Sequence, residues 1–457
     1  MRARFFSAPP TSQPQRAIGG GGAIRRRVVM PVAALLAWIA CFDVALAQNV
    51  WRVHKNPSSG ADFDQVQPAI DAASDGDVIV IETAAGPDYA GFRLKGKSLT
   101  LIGKPLVIGS LGGLILFPGI QGRVIVSDIA AHQSVTVRGM RIVTIDSLGP
   151  VLSFEHCEGP IFLETIEVEG FAFDDNLGAQ HPQLLLRRCA AVHVSGARVG
   201  PGTTIGQGQL PFRGAEFEGS NVAWSGGWIQ GGESVQGFKI GSLLVPGLDG
   251  AEALRVAGGR TLLSGVQVAG GKGGKGFIDT AGTCFPSGSG GVGLRATHGA
   301  QIHSESALIS GGPGAAAVSA SCAAGIAGET VVLLGAQFVD LAAGPRFART
   351  TSPANLGESH PIRVAAEPFD FALLMVATEL AGMPLDGVAG VLALVDPVPF
   401  AFIQVGAGGT ADLSGGMGLQ PAPGAAAVRL YVQALVWNGS GADPRFSAPS
   451  ALVLLAP

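Results

Sequence analysis

The 457-residue sequence predicts an all-β fold: a right-handed parallel β-helix, with a short capping helix before it and a small β-sandwich domain after it. Three observations predict this. First, a loose repeat runs through the middle of the chain, at residues 151–170, 184–202, 215–232, 254–271 and 294–312. Each copy is a short apolar strand, a small residue, a second apolar strand and a Gly-rich turn. Such a unit cannot bury its apolar face alone and must stack on its neighbours. Second, the strands stay constant while the connections vary. The last apolar residues before the turns are Ile142, Val168, Val199, Ile229, Val268, Ile309 and Phe338, at intervals of 26, 31, 30, 39, 41 and 29 residues. Paired helices would hold a fixed length, whereas loops can leave a coil of strands freely. Third, the strands are rich in Val, Ile, Leu and Thr, with local alternation at 99–102 and 134–137. Gly follows them where a corner needs positive φ. An antiparallel sandwich also uses many short strands. The pattern shared by five copies favours stacked coils, roughly eight to ten of them over residues 78–343.

The elements follow in order. Arg25, Arg26 and Arg27 precede an apolar run from Val28 to Phe42, and Ala45-Leu46-Ala47 places small residues at a cleavage site. Residues 1–47 therefore read as a secretory signal peptide cut after Ala47. The run is short for a membrane span. A membrane anchor, a twin-Arg signal and lipidation of Cys41 are the alternatives. The mature chain is expected to be secreted or held at the cell surface, with no stable membrane span.

In residues 61–103, Val66, Ile70 and Ala73 share one helical face, with Asp62 or Asp64 near the start. Pro68 must then sit in the first turn. Asp75-Gly76-Asp77 is a turn, and residues 78–81 form a buried strand. A helix here would cover the exposed edge of the first coil. Asp75-Gly76-Asp77, the strand at 78–81, Tyr89 and Leu99–Gly103 together resemble the start of pectin lyase-like right-handed β-helix proteins. The resemblance covers residues 60–345 as architecture and is specific over 61–103. It implies a β-helix domain over 48–345. It does not carry the chemistry. The motifs of pectin methylesterases, pectate lyases and polygalacturonases are not found.

Composition narrows the partners. Charged residues are 14%, the net charge is −4, and Gly numbers 69. There is no basic block and no aromatic platform after Trp51, so nucleic acid is excluded as a partner. The weak net charge argues against capture of a polyanion. Four Cys remain after export. Cys157 and Cys189 occupy equivalent points of adjacent copies and read as stacked buried thiols. Cys284 and Cys322 lie in successive Gly-rich insertions and are expected to be bridged. No Cys or His pair has metal spacing, and neither metal nor cofactor is expected.

The candidate chemistry is sparse. His193 and His303 share a repeat position, with Ala223 and Leu262 between them, too far apart for one proton relay. Arg187 and Arg188 are placed on an exposed strand edge. Glu216, Glu218 and Glu305 read as isolated carboxylates. The stretch 270–276, GGKGGKG, lacks a phosphate-loop ending and reads as a flexible exported loop. Asp174 and Asp175 read as a solvated turn. The ligand-binding candidates are Lys272, Lys275 and Asp279 on the longest insertions, and Asp174 and Asp175.

The repeat fades after Gly344. Residues 346–361 read as a linker, and 362–457 as short alternating strands, a β-sandwich. That module would bind glycan, anchor the protein or cap the open end of the solenoid, and capping is the expectation. The chain is expected to act as a monomer that binds a polysaccharide or another surface component without catalysis. A polysaccharide lyase or hydrolase with an unrecognised site, and a purely structural surface protein, are the alternatives.

Overall fold

The computed structural model describes residues 46–47, 49–84, 88–108, 114–144, 149–170, 181–201, 212–234, 236–240, 243–341, 346–350, 352–355, 361–383, 392–413, 427–439 and 444–455. The candidates Asp174 and Asp175 lie outside the described residues.

Coil stacks on coil in parallel register, and the solenoid has three walls. Wall one holds Leu152–Glu155, Pro182–Arg187, Arg213–Glu218, Leu254–Ala257, Leu294–Thr297 and Val331–Leu334. Wall two is a 10-stranded parallel sheet running from Val50–Val53 to Gln337–Leu341. Wall three runs from Arg141–Thr144 to Leu308–Ser310, and Gly119–Ser127 bends to join it to wall one. This is a parallel β-helix, and parallel crossovers take the right-handed sense. Inward side chains such as Leu152, Leu184, Leu254 and Leu294 are fully buried. Each contributes about 1.5–3 kcal/mol relative to exposure.

The turn markers stack as read: Ile142, Val168, Val199, Ile229, Val268 and Ile309 pair in sequence along wall three. Phe338 does not continue that row. It pairs with Ile302 in wall two, because its strand follows the first corner of the coil and not the second. The first corner needs a left-handed residue. His156, Arg188 and His298 take it with φ of 55, 52 and 54°, and Gly219 and Gly258 take it in the coils between.

The capping helix is Val66–Ala72, with Val66, Ala69 and Ile70 buried. Its N-cap is Gln65, without a side-chain cap, so neither Asp62 nor Asp64 fills that role. The Asp62 carboxylate instead accepts the Arg52 N–H at 2.8 Å. The Asp75-Gly76-Asp77 turn is a hydrogen-bond hub. Asp77 accepts from the N–H groups of Asn49 and Ser74 and from Trp51 Nε1, at 2.9, 2.9 and 3.0 Å. Asp75 accepts from Ser98 N–H at 2.8 Å and Gln133 Nε2 at 3.0 Å.

The Gly-rich insertions, read as a flexible loop, form hydrogen-bonded layers. Segments 231–234 with 236–237, 269–276 and 310–316 form one layer, and 247–253, 286–293 and 323–330 a second. Within the first layer the N–H groups of Gly231, Ser234 and Gly237 donate to the carbonyls of Ala269, Lys272 and Lys275 at 2.9, 2.8 and 2.7 Å. The donors advance by three residues, the turn of a polyproline II-type helix. Between layers, Gly271 and Gly274 donate to Ala251 and Leu248, and Gly288 and Gly291 donate back to Gly274 and Gly271. A Cβ at Gly271 would stand 1.9 Å from the Gly232 carbonyl oxygen, so only glycine permits this contact. The Cys284–Cys322 disulfide, with Cα atoms 5.6 Å apart, joins the second and third insertions as expected.

The segment expected as a linker contains strands Phe347–Thr350 and Ala354–Asn355 of the C-terminal module. Phe347–Thr350, Ile362–Ala365 and Thr410–Leu413 form one antiparallel sheet. It packs on a larger sheet containing Phe371–Ala377, Val398–Gln404, Ala427–Trp437 and Ser450–Leu455, across Ala348, Val364, Leu374 and Val436. This is the expected sandwich, but it does not cap the solenoid end. It lies along the outer face of wall two. There Val78, Val80 and Ile102 meet Ala427 and Val453, and the Phe162 ring meets Tyr431 edge-on at 6.0 Å. The reason is legible in those outward residues, which are apolar and would otherwise face water. Leu46–Ala47 pairs with Val428 and Ala427 of this module, so the expected cut falls at the end of that strand.

Candidate functional site

Outward positions of wall one alternate with its buried ones. They fall into two rows along the solenoid. One row is Leu185, Glu216, Arg255 and Arg295, and the other is Glu155, Arg187, Glu218, Ala257 and Thr297. Strand spacing puts neighbours in each row about 4.8 Å apart. Glu252, from the last turn of the second glycine layer, reaches into the same face. Together with His156, Arg188 and His298 at the corner, these residues other than Leu185 and Glu155 line an open cleft.

The cleft is a chain of ion pairs. Arg187 Nε donates to Glu218 at 2.6 Å, and its NH1 lies 3.5 Å from Glu155. Arg213 NH1 donates to Glu216 at 2.5 Å, and its Nε lies 3.3 Å from Glu252. Glu252 also accepts from Arg255 Nε at 2.9 Å and from Arg295. Burial alone would raise the Glu252 pKa. The hydrogen bond from Arg295 and the charges of Arg255, Arg295 and Arg213 overcome it and hold the carboxyl below its ordinary value. The Glu218 hydrogen bond likewise raises the Arg187 pKa. The face therefore presents fixed acceptors and fixed donors side by side, with the Glu252 carboxylate kept ionised.

The cleft corrects two expectations. Glu216 and Glu218 are not isolated, and Arg187 is at the centre of a sheet rather than on its edge. Sequence reasoning missed the cluster because its members come from coils about 30–40 residues apart. Aligning the copies on their first corner would have shown Glu155, Arg187 and Glu218 each standing one residue before it.

The other candidates are dispersed. Lys272 and Lys275 are exposed and stand three residues apart on the first glycine layer, whereas Glu252 ends a segment of the second. Asp279 is not beside them as a ligand group, since its carboxylate closes its own turn by accepting from Ala281 and Thr283 N–H at 3.0 and 2.7 Å. His193, Ala223, Leu262 and His303 stack in the expected order. His193 is sealed beneath the C-terminal module, in a small cavity with Ser195, Ser225 and Ser264, and burial pushes its pKa down to about 4. Glu305 is also sealed there, paired with Arg445 at 3.2 Å. Cys157 and Cys189 are free and buried as read, and the neighbouring sulfur together with burial holds the Cys157 thiol far above its ordinary range. Among the described residues no group of three or more His, Cys, Asp or Glu has metal-holding geometry. No described helix is long and apolar enough to cross a membrane.

The sequence matches no known family model, and no curated protein matches it. Solved structures similar to it include the full-length tailspike protein 2 from Escherichia coli O157:H7 bacteriophage CAB120. That match has 11% identity and a TM-score of 0.23, covering 84% of this chain and 63% of that one. Another is the enzymatically active domain of bacteriophage CBA120 tailspike protein 2, at 11% identity and a TM-score of 0.17, covering 83% and 66%. This chain thus spans under two thirds of the full-length tailspike's length.

Proposed function

We propose that this is an exported β-helix protein that binds an extended neutral glycan along wall one and leaves the polymer intact. The observation that carries this reading is the alternation of Arg and Glu in the cleft. A hydroxyl both donates and accepts, so sugar hydroxyls lying along Glu155, Arg187 and Glu218 find Glu oxygens and Arg N–H groups side by side. A polyanion would meet the carboxylates of Glu155, Glu216, Glu218 and Glu252 among the guanidiniums. Acid-catalysed hydrolysis needs a carboxyl that carries a proton, and three guanidiniums keep Glu252 ionised. His156, Arg188 and His298 support a binding role as well, because bulky residues occupy a left-handed corner where glycine serves in other coils. The disulfide suits an oxidising compartment and so an exported chain. The pectin lyase-like resemblance then extends to architecture and not to activity.

The test is a glycan array probed with the full chain, with Arg187→Ala and Arg255→Ala beside it. A neutral polymer should be retained by the wild type, and each variant should hold it at least tenfold more weakly. Each retained glycan should also be incubated with the protein, with and without calcium, and its chain length followed. Shortening of the polymer would replace this reading with the lyase or hydrolase one.

A further inference from the structure

Three aromatic side chains from three strands of the C-terminal module stand together at the surface. Phe371 and Phe402 have ring centroids 5.6 Å apart and planes 14° apart. Trp437 lies 6.4 Å from Phe371 and 5.7 Å from Phe402. This overturns the expectation of no aromatic platform after Trp51. Strand register assembles it: Phe371 pairs with Gln404 on one side and Trp437 on the other, and Leu373 in the next row pairs with Phe402 and Leu435. Leu373 and Leu435 lead into the cluster of Phe162 and Tyr431. The rings are therefore the open continuation of a face sealed further along against the solenoid. Phe402 is 60% exposed. At the same end of the sheet, Phe369 is 61% exposed at φ 69°, a conformation uncommon for a bulky residue, and its N–H donates to Val405.

We propose that this tile is a second binding site, which takes the apolar face of a neutral pyranose with equatorial hydroxyls. Such a ring carries its C–H bonds on one face, and those hydrogens suit the negative faces of Phe and Trp. Its rim hydroxyls suit the exposed Gln404 amide, which donates and accepts, and the Trp437 indole N–H, which donates. The two rows contain no charged side chain, so an acidic or basic ligand finds no partner. A lipid chain would leave the amide and the indole N–H unmatched. Three strands and two rows cover on the order of 100 Å². That fits one sugar ring and falls well short of the ~800 Å² each partner buries in a standard protein interface.

The full chain is titrated with cellohexaose, xylohexaose and chitohexaose, followed by calorimetry and by tryptophan emission. At least one hexasaccharide should bind, and Phe402→Ala and Trp437→Ala should each weaken it tenfold or more. The Phe402→Ala unfolding midpoint should stay at the wild-type value, since that ring is exposed. Glu252→Gln, in the wall-one cleft, should remove only that cleft's share of the binding and keep the Phe402-dependent share. Loss of binding in Glu252→Gln with wild-type binding in Phe402→Ala would overturn the tile and leave the cleft reading standing. Wild-type protein that binds none of the three would also overturn it. So would a Phe402→Ala effect confined to self-association or to phosphatidylcholine vesicles.

Discussion

Walls one and two of the solenoid share one interior and differ only outside. Both send Leu, Val and Ile inward at every second position. Wall one faces solvent with Arg and Glu paired in the open, whereas wall two is covered by a second module and carries its charges beneath it. Arg138 and Glu164 show the contrast. Their ion pair at 2.9 Å is nearly inaccessible, and both partners also bond the covering module. Arg138 donates to the Thr350 carbonyl, and Glu164 accepts from Ser450 Oγ and Ala451 N–H. The same residue types therefore face solvent as a chain of ion pairs on one wall and register the docking of a domain on the other.

The comparison is broken most strongly at Glu164. Glu164→Ala strands a buried guanidinium, and chemical unfolding should show a loss of about 3–5 kcal/mol. Glu218→Ala, which breaks a half-exposed pair on wall one, should cost under about 1 kcal/mol in the same measurement. Nearly as large is the disulfide. Cys284→Ser with Cys322→Ser opens a crosslink of sequence separation 38. By loop entropy the loss is about 3–4 kcal/mol, read as a shift of the denaturant midpoint. The glycine layers should still form, because their backbone hydrogen bonds do not depend on it.

A pH series sharpens the comparison. His193 on wall two has a folded pKa of about 4, against an ordinary value near ~6.5 in the unfolded chain. The unfolded state then binds the proton more readily. Its contribution to stability is full above the unfolded pKa, falls as pH drops toward 4, and is absent below. The expected span is about 3 kcal/mol, and His193→Gln should flatten that part of the profile. Glu252 on wall one has a lowered folded pKa, so its contribution is present above the ordinary carboxylate range and lost only as pH falls below it. The smallest effect concerns the N-terminus: if the chain is exported as proposed, sequencing the mature protein should place Gln48 first. An uncut chain would retain the pairing of Leu46 and Ala47 with Val428 and Ala427.

The solenoid was legible because its signals are local. Apolar residues before each corner recur in every coil, and six of the seven markers stack as read. The covered face of wall two was also visible in part. Val78, Val80 and Phe162 sit at outward positions of strands that read as continuous apolar runs, the pattern of a sheet buried on both faces. Wall one and the aromatic tile were not legible. Their members are brought together by lateral register, which depends on where each insertion rejoins the coil. The glycine layers failed differently. Their three-residue period is plain in GGKGGKG, but a single segment with that period does not reveal the neighbours whose carbonyls it will meet.

Those layers have a consequence for how the surface can change. Two of every three positions in the first layer press backbone on backbone, while the third points away from both neighbours. Glu233 and Gln236, Lys272 and Lys275, and Pro313 and Ala316 occupy those third positions, and all six are exposed. The repeat spacing is about 9.3 Å along each segment. At inner glycines such as Gly271 and Gly273 a Cβ would meet a neighbouring carbonyl, while the outer six are exposed. The molecule thus carries a small backbone grid that presents six exposed side chains at regular spacing.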